Sequence, residues 1–256
     1  MKVQELFDCH GKTAIVTGGG RGLGRVMAEA LAEAGANLVV CSRKLAACEE
    51  TADALVKLGG KALALPLDVS SPEQVAQVVN TTIEEFHSLD IVVNNSGASW
   101  GAPAVDMPIE AWHKVMEVNV TGTFLMSQQA ARVMIPQHSG KIINIASVAG
   151  LRGSNPRALD AVGYSTSKGA IIALTRDLAV KWGPLGIQVN AIAPGFFPTK
   201  MSRAIIEQNA EFLLDSTPLK RFGAPDDIKG IAVLLASKAS DYMTGAVIVV
   251  DGGQSV

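Results

Sequence analysis

Short apolar runs alternate along the chain with longer stretches in which apolar side chains recur every three or four residues. The runs Thr13–Thr17, Asn37–Cys41, Ala62–Leu67, Ile91–Asn94, Lys141–Ile145, Gln188–Ile192 and Ala246–Val250 read as strands covered on both faces. Between them the periodic stretches predict helices at about Leu23–Glu33, Leu45–Leu58, Pro72–Phe86, Glu110–Met134, Tyr164–Trp182 and Pro225–Ala236. The third and the last carry Pro in their first turn, where the missing N–H costs nothing. No Pro/Gly/Ser linker interrupts this series, so residues 1–256 read as one α/β domain. The expected architecture is a doubly wound, mostly parallel seven-stranded sheet with helices on both faces and ligands at the carboxyl ends of its strands.

Two stretches break the alternation. Gly150–Val162 is rich in Gly, Pro, Asn and Arg, and Pro194–Phe222 carries Pro194, Pro198 and Pro218 around a short helical patch. Both follow strands and are therefore expected to overhang the site and shape access to it.

Composition sharpens this picture. Apolar residues make up 48% of the chain and charged residues only 18%, as a large buried sheet requires. The net charge of −2 offers no basic excess for neutralising phosphates, which argues against a general nucleic-acid or membrane-surface binder. The first residues lack the apolar stretch of a secretory signal, and no run of about 18 apolar residues occurs, so a cytoplasmic protein is expected. Cys9, Cys41 and Cys48 form no CxxC pair and leave one over, which fits buried thiols better than a disulfide framework. His10, His87, His113 and His138 lack metal-ligand spacing, so no metal site is expected.

The chemistry lies in two clusters. Thr17-Gly18-Gly19-Gly20-Arg21-Gly22-Leu23-Gly24 follows the first strand and opens the first helix, where a dinucleotide pyrophosphate rests on backbone N–H groups. Gly18 would permit the tight turn, Gly22 the approach of backbone to phosphate, and Gly24 the packing of helix on strand. The second strand ends in Ser42-Arg43 rather than in a carboxylate that would hold ribose hydroxyls. Arg43, with Arg21 opposite, suits a 2′-phosphate, so NADP(H) is the preferred cofactor and NAD(H) the alternative. Further along, Tyr164 and Lys168 stand at i and i+4 and share a helix face, where an ammonium would favour the phenolate and lower its proton affinity.

In order, Thr17–Gly24, Asn94-Asn95-Ser96-Gly97, Asn119 in Val-Asn-Val-Thr-Gly, Ser147 in Asn-Ile-Ala-Ser-Val-Ala-Gly, Tyr164-x-x-x-Lys168 and Pro194-Gly195 resemble the motifs of the short-chain dehydrogenases/reductases. The resemblance covers essentially the whole chain. It implies a Rossmann fold and an NAD(P)-dependent interconversion of alcohol and carbonyl. It implies catalytic roles for Asn119, Ser147, Tyr164 and Lys168: Tyr164 exchanges the proton, Ser147 holds the substrate oxygen, Lys168 tunes the phenol and grips ribose, and Asn119 joins a water chain to Lys168. Cofactor contacts are implied for Gly18, Arg21, Gly22, Leu23, Gly24, Ser42, Arg43, Asp68, Val69, Asn95, Gly97, Tyr164, Lys168, Pro194, Gly195 and Thr199. Ser96 departs from the family's usual alanine, and the interval from Ser147 to Tyr164 is longer than usual through Arg152–Ala161.

Three other readings compete with this one. Gly97-Ala98-Ser99-Trp100-Gly101 matches a hydrolase nucleophile elbow, yet Pro103 and Pro108 follow where a helix should start, and no histidine follows His138. A dinucleotide sensor without catalysis would need the glycine loop but not the Tyr/Lys/Ser/Asn set. Within the family, Ala98–Ala104, Ser147–Gly153 and Ala193–Met201 look most like the gluconate 5-dehydrogenase-like branch, which implies a sugar-acid/keto-acid pair. Arg152, Arg157, Lys200 and Arg203 on the surrounding loops would then meet a carboxylate. A 3-oxoacyl-carrier-protein reductase or a broad-specificity carbonyl reductase is the alternative, with Trp100, Phe196 and Phe197 lining an apolar channel. Against the carrier reading, the turn Pro136-Gln137-His138-Ser139 lacks a Lys/Arg cluster. Apolar stripes on the two longest helices predict a homo-oligomer, and the family resemblance implies a tetramer.

Overall fold

The computed structural model describes all 256 residues. Seven strands, β1 (Thr13–Thr17), β2 (Asn37–Ser42), β3 (Ala62–Pro66), β4 (Ile91–Asn94), β5 (Gly140–Ile145), β6 (Ile187–Pro194) and β7 (Val247–Val250), form one sheet in the order β3-β2-β1-β4-β5-β6-β7. Every neighbouring pair is parallel. The chain runs outward from β1 in one direction to β3, then returns to β4 and runs outward the other way. Its topological switch point therefore lies between the carboxyl ends of β1 and β4.

Nine helices connect or flank these strands: α1 (Val3–Leu6), α2 (Gly22–Glu33), α3 (Leu45–Val56), α4 (Pro72–Phe86), α5 (Ile109–Met116), α6 (Gly122–Gln137), α7 (Val162–Trp182), α8 (Arg203–Asp215) and α9 (Pro225–Ala236). The period-2 alternation of the strands sends Ala14, Val16, Leu38 and Val40 into one core with Met27, Leu31, Leu55 and Leu235 of α2, α3 and α9. Ile15, Val39 and Val92 enter the opposite core with Val78, Met126, Met134 and Leu178 of α4, α6 and α7. The central strands β1, β4 and β5 are buried on both faces, which is why they read as continuous apolar runs.

The helix expected over Glu110–Met134 is α5 and α6 joined through a π turn at Glu117–Thr121. It also runs on through Pro136 to Gln137, ending at His138 in the left-handed region. The short helical patch expected within Pro194–Phe222 is the 13-residue α8, interrupted at Asn209 by φ −132° and ψ 24°. The exposed α1 carries too little apolar periodicity to be read from sequence. Cys9, Cys41 and Cys48 are all buried free thiols.

Candidate active site

β1 ends at Thr17 and the chain turns through Gly18–Arg21 into α2. Gly18 and Gly22 have φ of +66° and +57°, which a side chain would strain. At Gly24 the constraint is proximity: a Cβ would lie 2.4 Å from Asn95 Nδ2 and 2.4 Å from the Gly18 carbonyl oxygen. The loop is stitched to the end of β4. Thr17 Oγ1 accepts the Asn95 and Ser96 N–H groups, each at 3.0 Å, while Asn95 Nδ2 donates to the carbonyls of Thr17 at 3.0 Å and Gly18 at 3.3 Å. Leu23 packs against the core and fixes the start of α2, whose first N–H groups lack intrahelical acceptors. Thr199 closes over the loop, its Cγ2 being 3.7 Å from where a Gly22 Cβ would stand. Glycine-only approaches and a free helix N-terminus at the switch point fit a dinucleotide pyrophosphate.

At the end of β2, Ser42 Oγ bonds within its own turn to the Lys44 N–H and carbonyl. Arg21 and Arg43 are both exposed, and neither forms an ion pair with a carboxylate. Asp68 accepts the Ser70 N–H at 3.0 Å and the Ser70 hydroxyl at 2.5 Å, which together lower its proton affinity; Arg43 adds a weaker attraction. Val69 is buried against α6, with no room for a Cβ at Gly122, where it would fall 2.6 Å from Val69 Cγ2.

Ser147 follows β5 and caps a short 3-10 turn, Val148–Gly150, accepting the Ala149 N–H at 3.2 Å. Tyr164 and Lys168 lie in α7 and share a face, with Lys168 Nζ 5.5 Å from the centre of the Tyr164 ring. Lys168 is buried, and Nζ donates to the Ile145 carbonyl at 2.6 Å. Burial pulls its ammonium down to about 8. The expectation that Lys168 would lower the Tyr164 proton affinity needs correction for the free chain. Burial raises the phenol above its ordinary value, and the nearby Ser147 hydroxyl only partly offsets this. The ammonium, itself desolvated and turned toward the Ile145 carbonyl, adds no counterweight.

The π turn explains how Asn119 reaches the site. Its side chain is buried: Oδ1 accepts the Ala98 N–H at 2.7 Å, and Nδ2 donates to the Ala98 carbonyl at 2.9 Å and to Ser167 Oγ at 2.8 Å. Ser167 Oγ in turn donates to the Tyr164 carbonyl at 2.7 Å. Asn119 thus ties the segment after β4 to α7, with no direct bond to Lys168. Gly97 bridges the two, since a Cβ there would stand 3.5 Å from Asn119 Oδ1 and 4.0 Å from Lys168 Nζ. Sequence reasoning missed Ser167, the Ile145 carbonyl and the Thr17 hydroxyl. Ser167 was findable, because it lies at i+3 from Tyr164 on the same helix face.

The residues expected to touch substrate are less uniformly placed. Trp100 is 47% exposed on the loop after β4, and no helix begins behind Ser99, so the Gly97–Gly101 elbow pattern has no elbow geometry. Phe197 is not free for substrate. It is buried against the core and against Gly223, where a Cβ would lie 2.5 Å from its ring. Phe196 and Phe197 also line a cavity of about 470 Å³ shared with Leu219, Val249 and Gly252. Arg152 donates to the Gln254 backbone carbonyl, and Arg157 stacks over the Phe212 ring at 4.5 Å. Two of the side chains expected to meet a carboxylate, Arg152 and Arg157, are thereby engaged within the protein. Pro194 ends β6, and the Gly195 N–H donates to the Val250 carbonyl at 3.0 Å.

Residues 18–255 match the family model described as enoyl-(acyl carrier protein) reductase. The chain is 40% identical over 253 residues to 2-dehydro-3-deoxy-D-gluconate 5-dehydrogenase of Bacillus subtilis, covering 98% of this chain and 97% of that one. The chain belongs to the short-chain dehydrogenase/reductase family. The enzyme is likewise 40% identical over 253 residues to the rhamnolipids biosynthesis 3-oxoacyl-[acyl-carrier-protein] reductase of Pseudomonas aeruginosa, covering 96% of this chain and 97% of that one. Its fold superimposes with a TM-score of 0.94 on a gluconate 5-dehydrogenase from Burkholderia cenocepacia, solved in complex with NADP and tartrate, at 36% identity and 99% coverage of both chains. The enzyme is therefore an oxidoreductase with a seven-stranded parallel Rossmann sheet, as the motif order implied. No helix of it is long and apolar enough to cross a membrane.

Proposed function

We propose that the enzyme interconverts a secondary alcohol and a ketone with NADP(H), using Tyr164 as acid and base within a single domain. The observation that carries this reading is the grouping of Tyr164, Ser147 and Lys168 one segment away from the glycine loop. Asn95 is bonded to Gly18, and Gly97 lies beside Lys168 Nζ. A bound nicotinamide supplies the hydride. Tyr164, kept protonated by burial, gives its phenolic proton to the ketone oxygen, and in the reverse direction its phenolate takes the alcohol proton. Ser147 donates to the same oxygen and fixes its position. Protonated Lys168 favours charge on the phenolate and reaches toward ribose hydroxyls, while Asn119 holds Ala98 and α7 in register.

The absence of a carboxylate after β2 and the two unpaired guanidiniums of Arg21 and Arg43 support NADP(H) over NAD(H). The NADP complex of the gluconate 5-dehydrogenase neighbour supports the same preference. For the substrate, a sugar acid and its keto acid fit best. Lys200 and Arg203, exposed beside Thr199 over the glycine loop and free of ion pairs, remain to meet a carboxylate after Arg152 and Arg157 are engaged. One observation favours a 3-oxoacyl substrate instead: Trp100 and Leu151, 47% and 40% exposed, offer apolar surface on the loops after β4 and after Ser147. Initial rates with 5-ketogluconate, acetoacetyl thioester and an aryl ketone, each with NADPH and NADH, test both choices. Highest kcat/KM for 5-ketogluconate with NADPH is expected, and a clear NADH preference would overturn the cofactor assignment.

A cytoplasmic homotetramer completes the proposal. Ile109, Phe124 and Val180 expose apolar surface along α5, α6 and α7, and Val249 does so on the edge strand β7. Sedimentation as a monomer at micromolar concentration would contradict it.

A further inference from the structure

Residues 251–255, which follow β7, form a turn to which both loops flanking the site are fastened. The Asp251 carboxylate orders it, accepting the Gly253 N–H at 2.8 Å and the Ser255 N–H at 2.7 Å. From the second substrate loop, the Leu219 N–H donates to the Gly252 carbonyl at 3.1 Å. Gly195 presses on the turn so closely that a Cβ would lie 2.7 Å from Asp251 Cβ and 3.2 Å from Gln254 Oε1. From the first loop comes Arg152, whose guanidinium donates to the Gln254 backbone carbonyl. Gln254 itself is buried.

The first loop has few other attachments. Gly150 is pinned to the α7 backbone, with a Cβ there falling 2.5 Å from the Lys168 carbonyl carbon, and the Ala102 N–H donates to Asp160 at the other end. Between those ends, Asn155 serves only the loop's own turn, accepting the Arg157 N–H. Arg157 reaches out over Phe212, but through a ring contact that slides more freely than a directed hydrogen bond. Arg152 therefore makes the one side-chain hydrogen bond from Leu151–Asp160 to the rest of the protein.

We infer that Arg152 is a positioning residue for the substrate pocket: its clasp on the Gln254 carbonyl sets where the loop after Ser147 stands, and Arg152 is not itself a ligand for the substrate carboxylate. The inference rests on the reading of Ser147 and Tyr164 as the pair that meets the ketone. The two roles for Arg152 predict different patterns. A carboxylate ligand matters only for acidic substrates, whereas a clasp on the wall matters for every ketone that fills the pocket.

Arg152→Ala, Arg152→Lys and a chain lacking residues 254–256 test the clasp. Arg152→Ala is expected to raise KM roughly tenfold for both 5-ketogluconate and a neutral aryl ketone, the scale of a lost charge-assisted hydrogen bond. Kd for NADPH should change less than about twofold, and Arg152→Lys, which still donates to a carbonyl, should recover most of the loss. Removing residues 254–256 should reproduce the rise and add nothing to it in the Arg152→Ala background. Amide hydrogen exchange of residues 151–160 should quicken in the Arg152→Ala and shortened chains without substrate or cofactor. A KM rise confined to 5-ketogluconate would overturn the inference by making Arg152 a ligand, as would unchanged exchange of the loop. If the intact enzyme reduces none of the ketones, the functional reading fails while the exchange comparison still decides the clasp.

Discussion

The wall of the crevice built from residues 17–24 and 95–97 differs from the wall built from residues 151–160 in how its backbones are held. In the first, side chains and carbonyls of adjacent strand ends bond one another at 3.0–3.3 Å, and Gly18, Gly19, Gly22 and Gly24 sit where no Cβ fits or where φ is positive. In the second, a long loop is tied at its two ends and through two arginines. The first wall has one geometry available to it and suits a part shared by many enzymes, the dinucleotide. The second can be reset by changing a few side chains, which suits the part that differs, the ketone.

The largest expected effect separates chemistry from both walls. Tyr164→Phe should lower kcat by about 10²–10⁴ while leaving NADPH affinity and loop exchange unchanged; retained turnover would mean that another acid acts. Next comes the rigid wall's choice of cofactor. Arg43→Asp should reduce the NADPH to NADH ratio of kcat/KM by about 10- to 150-fold without altering the order of preferred ketones, and a reordering of ketones would show that the walls are coupled. Gly24→Ala should cost about 1–3 kcal/mol in denaturant unfolding, because its methyl would displace Asn95 Nδ2 and the Gly18 carbonyl. A neutral result would mean that this wall yields more than its distances imply.

The smallest effect concerns Lys168, which lies between the walls. Its folded value of about 8 lies below the ordinary 10.5, so the unfolded chain holds more protons between those values. The cost of burying the ammonium is present below about 8 and is relieved as pH rises toward 10.5, so this residue makes the cofactor-free enzyme more stable with rising pH. Wild type should gain on the order of 1–2 kcal/mol relative to Lys168→Met over the lower part of that window, from about pH 8 to about pH 9.5, by urea unfolding at several pH values. A parallel pH dependence for the two would place the Lys168 titration elsewhere.

What the sequence disclosed follows the same division. The glycine turn, the Tyr164/Lys168 face and the seven strands rest on neighbours a few residues apart or on apolar periodicity, and these were legible. Arg152 meets Gln254 across 102 residues, and Phe197 turns inward because Gly223 leaves room for its ring. Nothing local to either residue announces such a partner. The Tyr164 phenol shows the same limit: helix spacing revealed the ammonium beside it, while the burial that raises the phenol belongs to the packed molecule.

The wide turn at Glu117–Thr121 has a consequence for how this helix can vary. An α-helical ladder that accommodates one supernumerary residue rotates everything beyond it by about 100°. Excising a single residue there would restore a regular spiral, swing the Asn119 amide out of the gap between Ala98 and Ser167, and shift the phase of Met126, Ala130 and Met134 against the sheet. Insertions and deletions are therefore barred from these five positions.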